Sequence, residues 1–227
     1  MNYSAAIFDM DGTLLDSTWV WGKVDEEFHK MIGVVKTLKY SEDIMHMPPT
    51  ECAKYTKQIY NLSETIDEIK MMWYNIAKDL YLNEVELKPG AKQLLEAMKM
   101  QGIHISLATS CYAEIAELIL KRHGIYDVFE HFLYSDKLGV NKESADIYKF
   151  AAEYMGVLPE NCAVFEDILK PLNLVKGCGM GYFAVDDRQT NETKKALQQN
   201  ADHYIFDFND FINNGDFERF FCLKEVV

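Results

Sequence analysis

Basic residues are in short supply: Lys and Arg total 23 against 36 Asp and Glu, a formal net charge of −13. A field of that sign disfavours nucleic acid and anionic membrane surfaces as partners. No uninterrupted apolar run reaches the roughly 18 residues of a membrane span. No charged, apolar and small-residue leader precedes Ala5 either, so a cytoplasmic protein is expected. The five cysteines (Cys52, Cys111, Cys162, Cys178, Cys222) are odd in number and contain no C-x-x-C spacing. They therefore suggest neither a disulfide framework nor a zinc site, and buried free thiols are expected. His29, His46, His104, His123, His131 and His203 are scattered without metal-site spacing, which predicts local packing or exposure. Internal repeats and low-complexity tracts are also absent. What is there is a chain of 227 residues with 48% hydrophobic content, enough for a buried core. Its length suits one core carrying an inserted subdomain.

The hydrophobic pattern predicts a strand over 5–9, helices across 17–83, and strict alternation from Lys88 onward. Pro89-Gly90 opens a helix that runs to Met100 and is closed by Gln101-Gly102 before a strand over 103–108. A helix over 112–122 ends at His123-Gly124, and another over 144–155 ends at Gly156. Strands follow over 162–166, at Tyr182 to Val185 and at Tyr204-Ile205-Phe206. Alternation of this kind predicts an α/β fold, a Rossmann-like parallel sheet flanked by helices. The all-helical stretch interrupts it and reads as a cap subdomain inserted after the first strand. The expected division is 1–16 and 87–227 for the α/β core and 17–86 for the helical cap, with hinges near Leu15-Asp16-Ser17 and Glu86-Leu87-Lys88.

Chemistry is concentrated where strands end. Asp9-Met10-Asp11-Gly12-Thr13 sets two carboxylates two residues apart at the end of the apolar run Ala5-Ala6-Ile7-Phe8. Strand geometry can aim positions 9 and 11 into one crevice, and Gly12 permits a sharp turn and close backbone approach. Two such carboxylates can be metal ligands, a nucleophile with its acid/base partner, or a helix cap. Three later segments repeat the polar loop beside an apolar element: Thr109-Ser110 after 103–108, Lys142 ahead of an amphipathic helix, and Glu166-Asp167 after Cys162-Ala163-Val164-Phe165. In open parallel sheets such strand ends converge on one crevice.

The ordered set Asp9-Met10-Asp11-Gly12-Thr13, Thr109, Lys142 and Glu166-Asp167 resembles the four signatures of the haloacid dehalogenase superfamily of aspartate-nucleophile phosphotransferases. The likeness covers Ala5 to Met180. The helical stretch and Val164-Phe165-Glu166-Asp167 are most similar to its β-phosphoglucomutase-like phosphatase subgroup, whose helical cap lies in the corresponding position. The resemblance implies a Mg²⁺-dependent enzyme acting on a small phosphorylated metabolite, with Asp9 as nucleophile forming an aspartyl-phosphate. Asp11 is then the acid and base, and its presence disfavours dehalogenase and carbon–phosphorus cleavage. Thr109 and Ser110 bind the phosphoryl group, and Lys142 neutralises charge on Asp9 and on that group. The metal set implied is Asp9, the Asp11 backbone carbonyl and Asp167, with Glu166 water-linked or behind them.

This chain departs from the subgroup after Lys142, where Glu143-Ser144-Ala145 replaces proline and small residues. It departs again after Asp167, where Ile168-Leu169-Lys170-Pro171 replaces the usual serine and glycine. Trp21 falls where the subgroup's sugar phosphomutases carry a histidine that returns the phosphoryl group. An indole cannot shuttle that proton, so hydrolysis is expected over mutase transfer. The alternatives are a sugar phosphomutase and a phosphate-ligand-binding protein without turnover. Trp19, Val20, Trp21, Phe28, His29 and Met45-His46-Met47-Pro48-Pro49 read mainly as helical core, some of them able to face the crevice. Asp186-Asp187-Arg188 reads as a solvated turn.

Overall fold

Short apolar runs bounded by turn residues become strands, and longer amphipathic stretches become helices. In the computed structural model, which describes residues 2–44, 47–140, 142 and 144–221, strand β1 (Ala5–Phe8) is buried along its whole length. Four helices follow: α1 (Val20–Met31), α2 (Leu38–Ile44), α3 (Pro49–Tyr60) and α4 (Ile66–Asn83). Alternation then begins with α5 (Ala91–Met100), β2 (His104–Thr109), α6 (Ala113–Arg122), β3 (His131–Tyr134), α7 (Ser135–Leu138) and α8 (Asp146–Met155). It continues through β4 (Cys162–Glu166), α9 (Leu172–Gly177), β5 (Gly181–Val185), α10 (Asn191–Asn200) and β6 (His203–Ile205), and closes with α11 (Phe208–Asn213) and α12 (Asp216–Phe221).

The strands form one parallel sheet in the order β3-β2-β1-β4-β5-β6. The order reverses beside β1, which places the switch point between β1 and β4, where ligands bind beyond the carboxyl ends. Fully buried strands read as continuous apolar runs because helices cover both faces of a parallel sheet; β4 and β5 are likewise buried throughout. The pattern did not disclose β3, a four-residue edge strand whose first half is only partly buried. It carries neither the length nor the burial that makes a strand conspicuous.

The chain divides into two compact units, 1–18 with 85–227, and 19–84. The connectors at 14–16 and 86–88 fall in the α/β unit and pair with each other: Leu15 bridges Leu87, the Asp16 amide donates to the Glu86 carbonyl, and the Lys88 amide donates to the Leu14 carbonyl.

The helical unit has its own core, with Phe28, Ala53 and Ile69 packed by Ile32, Leu62, Ile66, Met72, Trp73 and Ile76. Helix α4 starts at a reciprocal capping box between Thr65 and Glu68. Lys57 ties down the preceding loop by donating to the carbonyls of Leu62, Ser63 and Glu64. His29 is buried with Asp25 and Tyr60 as partners. Trp21 is not core: it is 51% exposed, because the buried stripe of α1 runs through Val20, Val24 and Phe28 and leaves Trp21 beside it. Met45, His46, Asn141, Glu143 and Cys222 lie outside the described residues. The other four cysteines are free, and no helix among the described residues is long and apolar enough to cross a membrane.

Candidate active site

Pairing of β1 stops at Phe8, which is level with Leu107 of β2 and Phe165 of β4. Asp9 therefore emerges beside Glu166 and Asp167 at the switch point. One oxygen from each of these three buried carboxylates lies within 4.8 Å of the others. Lys142, arriving from the loop ahead of α8, bonds to Asp9 Oδ1 and reaches Glu166 Oε2 at 3.0 Å. The second oxygen of Asp9 accepts from Thr13 Oγ1 at 3.2 Å, and the same hydroxyl lies 3.3 Å from Asp167 Oδ1. Thr13, fully buried, thus bridges the first motif to the last. It stands in the first motif, but only the contact with Asp167, 154 residues away in sequence, discloses that link.

Gly12 makes this crowding possible. Its φ of +78° is left-handed, and a Cβ there would lie 2.5 Å from Asp167 Oδ2.

Burial and mutual repulsion set the electrostatics. Burial, reinforced by Asp9 and resisted by Lys142, pushes Asp167 up to about 7. Glu166 is driven well above the ordinary carboxylate range, first by burial and then by Asp9. Burial alone disfavours the charge on Lys142, but Asp9 and Glu166 outweigh it and hold the ammonium above the usual lysine value. Fully ionised, the three carboxylates with the Lys142 ammonium would carry a formal charge of −2. Hard oxygen donors with that excess fit a hard divalent cation.

The remaining residues singled out in the sequence sit around this centre. Asp11, half-buried, accepts from Ser17 Oγ at 2.6 Å through its carboxylate. Thr109 is fully buried at the carboxyl end of β2, and its hydroxyl accepts from the Cys111 amide at 3.0 Å. Ser110 is exposed, its hydroxyl 3.3 Å from that of Ser135. Direct contacts therefore gather Asp9, Lys142, Glu166 and Asp167, with Thr13 added, while the bonds above tie Asp11 to Ser17, Thr109 to Cys111 and Ser110 to Ser135.

The 186–188 turn is not simply solvated. The side chain of Asp187 is 6% exposed, paired with Lys88 at 3.1 Å and accepting from Thr18 Oγ1 at 2.7 Å. The partners lie 99 and 169 residues away in sequence, so no local pattern announces them.

The profile of the haloacid dehalogenase-like hydrolases matches residues 3–170. Among curated proteins, the chain is 25% identical over 197 residues to the phosphorylated carbohydrates phosphatase of Thermotoga maritima, covering 87% of this chain and 91% of that one. It is 26% identical over 181 residues to hexitol phosphatase B of Escherichia coli, covering 78% and 80%. Among solved structures, β-phosphoglucomutase from Clostridium difficile superposes with a TM-score of 0.70 at 21% identity, covering 96% of both chains. That likeness shows the fold, a parallel Rossmann-like sheet with a helical insertion. With the family profile spanning most of its length, this chain belongs to the haloacid dehalogenase-like hydrolases.

Proposed function

We propose that the protein is a Mg²⁺-dependent phosphatase that hydrolyses a small phosphorylated metabolite through an aspartyl-phosphate at Asp9. The observation that carries this reading is the buried set of Asp9, Lys142, Glu166 and Asp167 at the switch point of the sheet. Relatives named for phosphatase activity on carbohydrate and hexitol phosphates support the substrate class.

Asp9, Glu166 and Asp167, with the Asp11 carbonyl, would hold the metal, which when bound supplies charge neutralisation and orientation for the phosphoryl oxygens. Asp9 is held through one oxygen by Lys142 and through the other by Thr13, so its orientation is set before substrate arrives. In the first step an Asp9 oxygen forms a bond to phosphorus, the bond to the leaving oxygen breaks, and Asp11 donates a proton to that oxygen. In the second, Asp11 takes a proton from water, the water oxygen bonds to phosphorus, and the Asp9–phosphorus bond breaks to free phosphate. Lys142 offsets negative charge gathering on the transferring group in both. Thr109 and Ser110 would contact its oxygens, and the helical unit would act as the cap that reads the leaving group. Trp21 offers no titratable proton for returning the phosphoryl group, which supports water over a second sugar hydroxyl as acceptor.

The test is phosphate release from a panel of phosphorylated metabolites, with Mg²⁺ or with chelator, for the parent protein beside Asp9→Asn. Release that needs both metal and Asp9 is expected. A folded protein that binds Mg²⁺ but releases no phosphate from any of them would overturn the hydrolase reading.

A further inference from the structure

The last rung between β4 and β5 pairs Glu166 with Ala184, so the strands stop holding each other one residue before Asp167. A residue one step beyond a ladder loses the backbone partner that fixes its carbonyl, and a carboxylate on such a residue inherits that freedom. Here the gap is filled by a side chain. Gln189, in the turn after β5, donates through Nε2 to the Asp167 carbonyl at 2.6 Å and to the Val185 carbonyl at 3.1 Å. Its Oε1 accepts from the Asp187 amide at 2.8 Å. Two carbonyl acceptors on one side and an N–H donor on the other define the amide orientation.

The turn that carries Gln189 is itself fixed from several directions. Asp186 is bound by Lys194 at 2.9 and 3.0 Å and by Tyr204 OH at 2.5 Å. Lys88 donates to the Asp186 carbonyl at 2.5 Å and pairs with Asp187, while Arg188 is bonded to Asp16. A donor mounted on so constrained a turn transmits a fixed position rather than following its acceptor.

We propose that Gln189 is a positioning residue for Asp167: its amide replaces the missing rung of the β4–β5 ladder and holds the Asp167 backbone so that its carboxylate meets Asp9 and Glu166 in metal-binding geometry. The inference rests on the reading of Asp167 as a metal ligand. Groups behind metal ligands typically change metal affinity or activity by 10- to 100-fold when removed. Mg²⁺ demands near-ideal octahedral geometry, whereas Ca²⁺ accepts irregular and variable coordination. Loosening Asp167 therefore penalises Mg²⁺ more than Ca²⁺, an asymmetry that general destabilisation does not produce.

The experiment is calorimetric titration of Mg²⁺ and, separately, Ca²⁺ into metal-free parent, Gln189→Ala and Gln189→Glu, with thermal unfolding in chelator as the check on folding. Gln189→Glu keeps the shape but cannot donate to either carbonyl at neutral pH. Both variants are expected to weaken Mg²⁺ binding about 10-fold or more, with a smaller loss for Ca²⁺. Equal Mg²⁺ affinity in parent and variants overturns the positioning role, as do equal losses for the two ions. A parent that binds no Mg²⁺ instead overturns the metal-site reading on which it rests.

Discussion

Gly12→Ala is the most economical probe of how tightly the first and last motifs are packed. Two costs follow from the structure. The left-handed φ of +78° costs an L-residue about 1–2 kcal/mol, which for a chain of this size lowers the Tm by roughly 2–8 °C. The second cost falls on the site. A Cβ at position 12 would lie 2.5 Å from Asp167 Oδ2, 2.8 Å from its Cγ and 2.8 Å from Thr18 Cγ2, so the Asp167 carboxylate must retreat by about 1 Å to reach ordinary contact. Misplacement of that size at a reacting centre costs on the order of 100-fold in rate. Gly156→Ala separates the two effects, because Gly156 has a comparable φ of +67° but open space where its Cβ would stand. Thermal unfolding and phosphate release at saturating Mg²⁺ would be measured for both. Gly12→Ala should lose both stability and activity, and Gly156→Ala stability alone. Phosphatase activity undiminished in Gly12→Ala would show that Asp167 does not need the position it occupies here.

Lys142→Met removes the ammonium paired with Asp9 and Glu166. Breaking a buried ion pair costs about 3–5 kcal/mol, so unfolding in urea without metal at pH 8 should occur at clearly lower denaturant, and phosphate release should fall at least ~100-fold; parental stability would contradict the buried pairing. Burial holds His123 and His203 below the ordinary histidine pKa. The unfolded chain therefore binds protons first, and the stability these groups contribute is complete above about 6.5 and is lost as pH falls below it. The decline of Tm from pH 8 to pH 5 should be shallower in His123→Gln/His203→Gln than in the parent, a comparison in which the site carboxylates cancel. Identical slopes would show that neither imidazole is held neutral by the fold.

What the sequence disclosed and what it hid divide along the range of the interactions. Local pattern places Asp9 and Glu166-Asp167 at the ends of apolar runs, after Phe8 and Phe165, but a lysine in a polar loop reads as solvated, and Lys142 is singled out only because the ordered set resembles the family's signatures. The parallel sheet is legible from local pattern too, since fully buried strands leave continuous apolar runs. Strand β3 is not, because an edge position relaxes burial on His131 and Phe132 and removes the signal. Trp21 was drawn toward the core by its residue type, although its angular position on α1, beside the Val20-Val24-Phe28 stripe, leaves it half exposed. The 186–189 turn is the instructive case. Its composition is that of a solvated loop, and composition is all that a local window sees. Its partners include Asp16, Thr18, Lys88 and Asp167, all far from it in sequence. Where the β4–β5 ladder ends, the Asp167 carbonyl takes its donor from Gln189, 22 residues on, and nothing in the local sequence around Gln189 signals that bond.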